Sequence, residues 1–193
     1  GTNDQSGIQV TVYNEYQFTH KFQKVKDLTF VAGVTNIYVY ANGKVFSGIV
    51  DSLTGRPAGE TGSHTSENLA AYAQIEKKFF NRLTFILGGR YEYYYLAELS
   101  EHKPIFRTGL NYQAGKATFL RASVGQGYRV PSIGERYITT NSGSFGFYPN
   151  PALQSETSLS YELGVKQLYK IGQFRGMADI AGFYENYEKY VEF

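Results

Sequence analysis

His20, His64 and His102 are the chain's three imidazoles, and no second ligand stands at metal-binding spacing from any of them. Isolated histidines of this kind are more often solvated loop residues, so no metal site is expected. Cysteine is absent, which removes thiol nucleophiles, thiolate metal sites and any disulfide framework. Gly125-Gln126-Gly127 begins like a dinucleotide fingerprint but lacks the third glycine and the strand-to-helix context. Ser142-Gly143-Ser144-Phe145-Gly146 misses a nucleophile elbow by one residue and sits in a long polar stretch. The expectation is therefore a protein that is not an enzyme and carries no cofactor. What remains is a set of charged residues spaced within apolar runs: Arg90, Glu92, Arg107, Arg121, Glu162 and Lys166. They are candidates for lining a wet inner wall, and charge pairs that satisfy one another are favoured there over direct ligand contact.

The elements that position these residues read as strands. Ile8, Val10, Val12, Tyr16 and Phe18 alternate with Gln9, Thr11, Tyr13, Glu15 and Gln17, a period of two with one apolar face. Leu28 to Tyr40 repeats the pattern with a less polar second side. Leu69 to Phe79 and Leu83 to Tyr95 form the clearest hairpin: Leu83, Phe85, Leu87, Tyr91 and Tyr93 fall on one face, Arg90 and Glu92 on the other. Four further runs are centred on Leu110, Ala122, Tyr161 and the stretch from Phe174 toward Tyr190. The expected fold is all-β, an antiparallel meander of about eight long strands.

Connection lengths suggest where such a sheet sits. Phe80-Asn81-Arg82, Ala114-Gly115-Lys116 and Ile171-Gly172-Gln173 read as tight turns. Ala41 to Ser66 and Val130 to Ser155 read as long loops, with Ala97 to Lys103 intermediate. Short turns at one rim and long loops at the other describe a transmembrane barrel. Aromatics cluster toward the strand ends, with Phe18, Phe22, Phe79 and Phe80 by the short turns and Tyr38, Tyr40, Tyr93 and Tyr95 toward the loops, as two membrane interfaces favour. No apolar run approaches the roughly 20 residues that a membrane helix needs. A net charge of +2 with interspersed signs gives no basic stripe for nucleic acid, which is not an expected partner.

Three segments carry a family resemblance. Ala71-Tyr72-Ala73-Gln74 leading to Leu83-Thr84-Phe85-Ile86-Leu87-Gly88-Gly89-Arg90-Tyr91-Glu92 resembles a receptor hairpin of the form Y-x-Q, then L-T-x-x-x-G-x-R-Y-(D/E). Gly127-Tyr128-Arg129-Val130-Pro131-Ser132-Ile133-Gly134-Glu135-Arg136-Tyr137 resembles the segment in which a barrel strand enters an extracellular loop. Asn150-Pro151-Ala152-Leu153-Gln154-Ser155-Glu156 resembles the return from that loop, with Ser155 replacing the usual second proline. In this order they are similar to the β-barrel of a TonB-dependent outer-membrane receptor. The resemblance implies that residues 1–193 are part of such a barrel, about a third of the roughly 22 strands with which these transporters close. No segment resembles their plug domain or its TonB-contacting linker. The implied function is TonB-dependent uptake of a scarce ligand such as a ferric siderophore, cobalamin or glycan across a bacterial outer membrane. The implied partners are outer-membrane lipid, an extracellular ligand, and TonB only through a plug. The motif residues Arg129, Pro131, Glu135, Asn150, Pro151 and Glu156 are the candidate loop site.

Phe193 resembles the terminal aromatic of outer-membrane assembly signals, but Lys189 interrupts that pattern, so truncation is expected. A sheet cut from a barrel should self-associate through its open edges and apolar face. The alternative is a complete eight-stranded barrel acting as an anchor or adhesin, whose interior its own side chains would have to fill.

Overall fold

The computed structural model describes residues 7–46, 62–96, 99–138, 140–142, 145–147, 150 and 152–188. The strands are β1 (Gly7–Lys21), β2 (Leu28–Gly43), β3 (Gly62–Phe79), β4 (Leu83–Leu96), β5 (Leu99–Gln113) and β6 (Thr118–Arg129). A short helix α1 (Ile133–Tyr137) and two three-residue strands, β7 (Thr140–Ser142) and β8 (Phe145–Phe147), precede β9 (Glu156–Ile171) and β10 (Phe174–Glu188). Strands β7 and β8 pair only with each other, and the other eight form one sheet in the order β1-β2-β3-β4-β5-β6-β9-β10. Every ladder in it is antiparallel. Even β6, the shortest of the eight at 12 residues, is roughly 40 Å long at about 3.3 Å per residue. A tilted strand of that length crosses a hydrocarbon layer of about 30 Å.

The register carries the alternation of each strand across the whole sheet. Thr35 faces Ala70, Ala70 faces Glu92 and Glu92 faces Lys103, while the intervening row runs Val34, Ala71, Tyr91 and Pro104. One face is therefore polar from Gln17 on β1 to Glu185 on β10, and the other apolar. Leu83, Phe85, Leu87, Tyr91 and Tyr93 share the apolar face, opposite Arg90 and Glu92. Large side chains on it stand bare: Leu163 is 70% exposed and Ile180 76%. Among the described residues the buried apolar side chains are Ala41, Ala70, Tyr94, Leu96 and Ile133, far too few for the core of a water-soluble domain of this length.

The sheet does not close. Strands β1 and β10 are its two edges, which contradicts the alternative of a self-contained eight-stranded barrel. The physical reason lies on the polar face, because a closed barrel of eight strands must pack its inner side chains together, and Arg90, Glu92, Arg107 and Arg121 are costly to crowd without water.

The loop boundaries also need correction. Strand β2 runs on to Gly43 and β3 begins at Gly62, so pairing consumes both ends of the loop expected from Ala41 to Ser66. The connection expected from Ala97 to Lys103 is shorter still: Leu96 pairs with Leu99, and Pro104 is accommodated in the strand opposite Tyr91. The β1–β2 connection at the opposite rim is longer than this one, so the asymmetry of the rims rests on the two long loops. The middle parts of both loops, Gly55 and Gly143 among them, lie outside the described residues, as do Tyr190 and Phe193. The tight turns stand where expected, with Phe80, Asn81 and Gly172 at positive φ (50°, 57° and 61°).

Candidate ligand-facing wall and loop anchor

The polar face is a chain of hydrogen-bonded clusters. The Tyr72 hydroxyl, with its one proton, lies 2.8 Å from Glu15 Oε1 and 3.0 Å from Gln17 Oε1 and donates to that pair of acceptors, bringing β3 to β1 across β2. It can cross because Gly33 lies beneath it, where an added Cβ would meet the Tyr72 ring at 2.6 Å and the Tyr16 carbonyl at 2.7 Å. Arg90 lies over the Tyr72 ring at 5.8 Å, donates to Thr35 Oγ1 at 2.9 Å and pairs with Glu92. Arg107 donates to Gln74 Oε1 at 2.6 Å. Arg121 pairs with both Glu162 and Asp179 at 2.7 Å, flattened over Gly164, where a Cβ would stand 2.8 Å from its guanidinium carbon. Lys166 sits on the same face opposite Phe119 and Asp179 and forms no ion pair among the described residues.

The second cluster closes the loop end of that wall. The β5–β6 ladder covers Arg107–Gln113 against Phe119–Gly125, and beyond it the two strands part. Gln126 Oε1 accepts from the Phe106 amide at 3.0 Å where the ladder stops. Glu101 of β5 then bridges the gap, accepting from Tyr128 at 3.2 Å, from the Ser155 amide at 3.3 Å and from the Ser155 hydroxyl. The register puts Tyr128 in the apolar row with Val124, and its hydroxyl reaches Glu101 where the two strands have separated.

Five of the six loop-motif residues are described, and they join in one anchor. Arg129 pairs with Glu135, four residues past the end of a neighbouring motif proline, and with Glu156 across the β6–β9 ladder at 3.2 Å. Pro131 presents its carbonyl to the buried Tyr94 hydroxyl at 2.9 Å. Ser132 caps α1: it accepts from the Glu135 amide, while Glu135 accepts from the Ser132 amide at 2.8 Å. Burial alone would raise the Glu135 carboxyl, but donation from the Ser132 amide and hydroxyl and from Arg129 outweighs it and holds the group below its ordinary value. Asn150 donates its amide to the Arg136 carbonyl at 3.0 Å and accepts from the Ala152 amide with its side chain. Pro151 lies outside the described residues.

Thus anchored, α1 folds onto the polar face. Ile133 packs with Ala41, Tyr94 and Leu96, with Phe46, Leu99 and Tyr137 around them, and Tyr137 stacks on His64 at 3.9 Å. Beneath it Glu92 and Asn68 each keep one buried oxygen with no hydrogen-bond partner among the described residues.

The motif residues are therefore fasteners of the loop's two feet, while Arg90, Glu92, Arg107, Arg121 and Glu162 form the wall below. Sequence reasoning passed over Glu101, Tyr94 and Asp179, and singled out Tyr72 only as part of a family motif. Only α1 had a local signal, since Ser132 followed three residues later by Glu135 is a capping box. The other contacts join residues 20 or more positions apart, which no local spacing reveals.

A family model described as "TonB dependent receptor-like, beta-barrel" matches residues 1–193. No curated protein matches the chain in sequence. Among solved structures, the hemophore receptor HasR of Serratia marcescens, in complex with its hemophore HasA and heme, superposes with a TM-score of 0.74 at 19% identity, over 95% of this chain and 34% of that one. The siderophore receptor PirA of Acinetobacter baumannii gives 0.64 at 17% identity, over 93% and 27% of the two chains. A mutant of the ferric enterobactin receptor PfeA of Pseudomonas aeruginosa, in complex with enterobactin, gives 0.63 at 13%, over 94% and 27%. At these identities the likeness is one of fold. The chain spans about a third of the length of these receptors or less.

Proposed function

Because the chain belongs to the TonB-dependent receptor β-barrel family, we propose that it forms part of an outer-membrane receptor that takes up a scarce iron-bearing ligand, a ferric siderophore or heme, driven through TonB by the inner-membrane proton gradient. The observation that carries this reading is the two-faced sheet: long paired strands, predominantly apolar on one side and hydrogen-bonded polar on the other. In this role the apolar face meets lipid, the polar face lines a lumen, and the remaining strands of the barrel pair with β1 and β10. A plug occupying that lumen supplies the contact with TonB. No covalent bond is made or broken. The iron-bearing class is favoured over cobalamin or a glycan because HasR, PirA and PfeA are receptors for a hemophore or for siderophores.

The test is growth of an iron-starved bacterium lacking its own receptors but expressing the full-length protein. Growth on one heme or siderophore source, lost when TonB is deleted, is the expected result. Uptake that survives dissipation of the proton gradient, or a requirement for cobalamin or glycan alone, would overturn it.

A further inference from the structure

At the short-turn rim the β1–β2 connection and the β3–β4 hairpin meet in one corner. The Lys78 amide donates to the Asp27 carbonyl at 3.0 Å, locking the two turns together. Between them lies a hollow of about 320 Å³ lined by Lys26, Asp27, Lys77, Lys78, Phe79, Phe80 and Asn81. Lys77 shares the apolar row with Ile75 and Phe79, faces Leu28 and Phe85, and turns its ammonium back to the Lys26 carbonyl, 5.7 Å from the centre of the Phe79 ring.

That placement is informative. An ammonium on the lipid face is costly at the bilayer midplane and nearly without cost at the interface, so Lys77 marks the level at which hydrocarbon gives way to headgroups. Lys24 and Arg82 stand in the same two turns, and the carboxylate beside them is Asp27. With Lys26 and Lys77 they make four cations against one anion, more positive than the whole chain, whose net charge is +2, while Lys21, Lys78 and Glu76 belong to the polar face by the register. Phe80, 92% exposed, stands beside them as an apolar finger.

We propose that this hollow binds the phosphodiester headgroup of an anionic phospholipid, with Lys26 and Lys77 on the phosphate and Phe79 and Phe80 against the first part of the acyl chains. The inference rests on the membrane-barrel reading. A lipid fits better than a free phosphate because Lys77 stands in the apolar row and Phe79 and Phe80 line the hollow.

The test uses the full-length protein in a neutral detergent, with dioctanoyl phosphatidylglycerol, dioctanoyl phosphatidylcholine and inorganic phosphate as probes, binding being read by native mass spectrometry. Phosphatidylglycerol should bind about tenfold more tightly than phosphatidylcholine, two lysines near an anionic headgroup being enough for that ratio. The double variant Lys26→Gln/Lys77→Gln should lose the preference and Lys26→Arg/Lys77→Arg should keep it. Equal affinity for both lipids, an unchanged preference in the glutamine variant, or full displacement by inorganic phosphate would each overturn the proposal. Insertion into phosphatidylcholine vesicles is measured alongside: failure to insert overturns the barrel reading and this site together, whereas insertion without a lipid preference overturns the site alone.

Discussion

The two ends of the sheet are built on the same strands and the same alternation, yet they differ in what covers them. At the loop end α1 folds back over the polar face, and Tyr94, Leu96, Ala41 and Ile133 are buried beneath and around it. At the turn end no described element crosses either face, and Phe80, Ile171 and Phe174 are 92%, 71% and 81% exposed. The loop end has a small core and fasteners that include partly buried carboxylates, whereas the turn end has bare aromatics and lysines. Burial in this chain is thus decided by whether a connection is long enough to return to the sheet.

The largest expected effect tests that difference directly. Leu96→Ala removes a fully buried side chain and should lower stability in detergent by about 2–5 kcal/mol. Phe80→Ala, at the other end, should stay within about 0.5 kcal/mol. Urea unfolding of both variants makes the comparison, and equal losses would mean that the α1 cluster contributes nothing.

A smaller effect is expected where the loop is fastened. Arg129→Ala leaves Glu135 and Glu156 without their shared cation. Because Arg129 is half exposed, the loss should be about 1 kcal/mol, or roughly fivefold in the population of detached loop. Limited trypsin cleavage after Arg136 should accelerate by that factor, while Lys24→Ala at the turn end leaves it unchanged. An unaltered cleavage rate would show that Ser132 and Tyr94 hold α1 without Arg129.

The smallest effect is one of pH. The Glu135 carboxyl is held below its ordinary value of 4.5, so its contribution to anchoring is complete above that value and is lost as the pH falls through the lower folded one. The protection factors of the α1 amides, which remove the intrinsic pH dependence of exchange, should therefore be flat from neutrality down to about that ordinary value and fall only below it. Glu135→Gln should abolish the dependence. A loss of protection beginning near neutrality would point to another group.

Strand number, strand order and the assignment of Leu83, Phe85 and Leu87 to one face and Arg90 and Glu92 to the other were legible in the sequence, because a period of two is a local property and short turns force neighbours to pair. The extents of β2, β3 and β5 at the loop end were not: residues such as Asn42 and Ser63 have no strand preference of their own and become strand by pairing with each other. Nor could spacing show that Glu101 spans a parted ladder, that Tyr72 reaches Glu15 over a glycine, or that α1 turns inward onto Tyr94. A two-faced antiparallel meander follows from local alternation and short turns. Which end of that meander is covered, and which carboxylates fasten the cover, depends on distances between strands that the chain order does not contain.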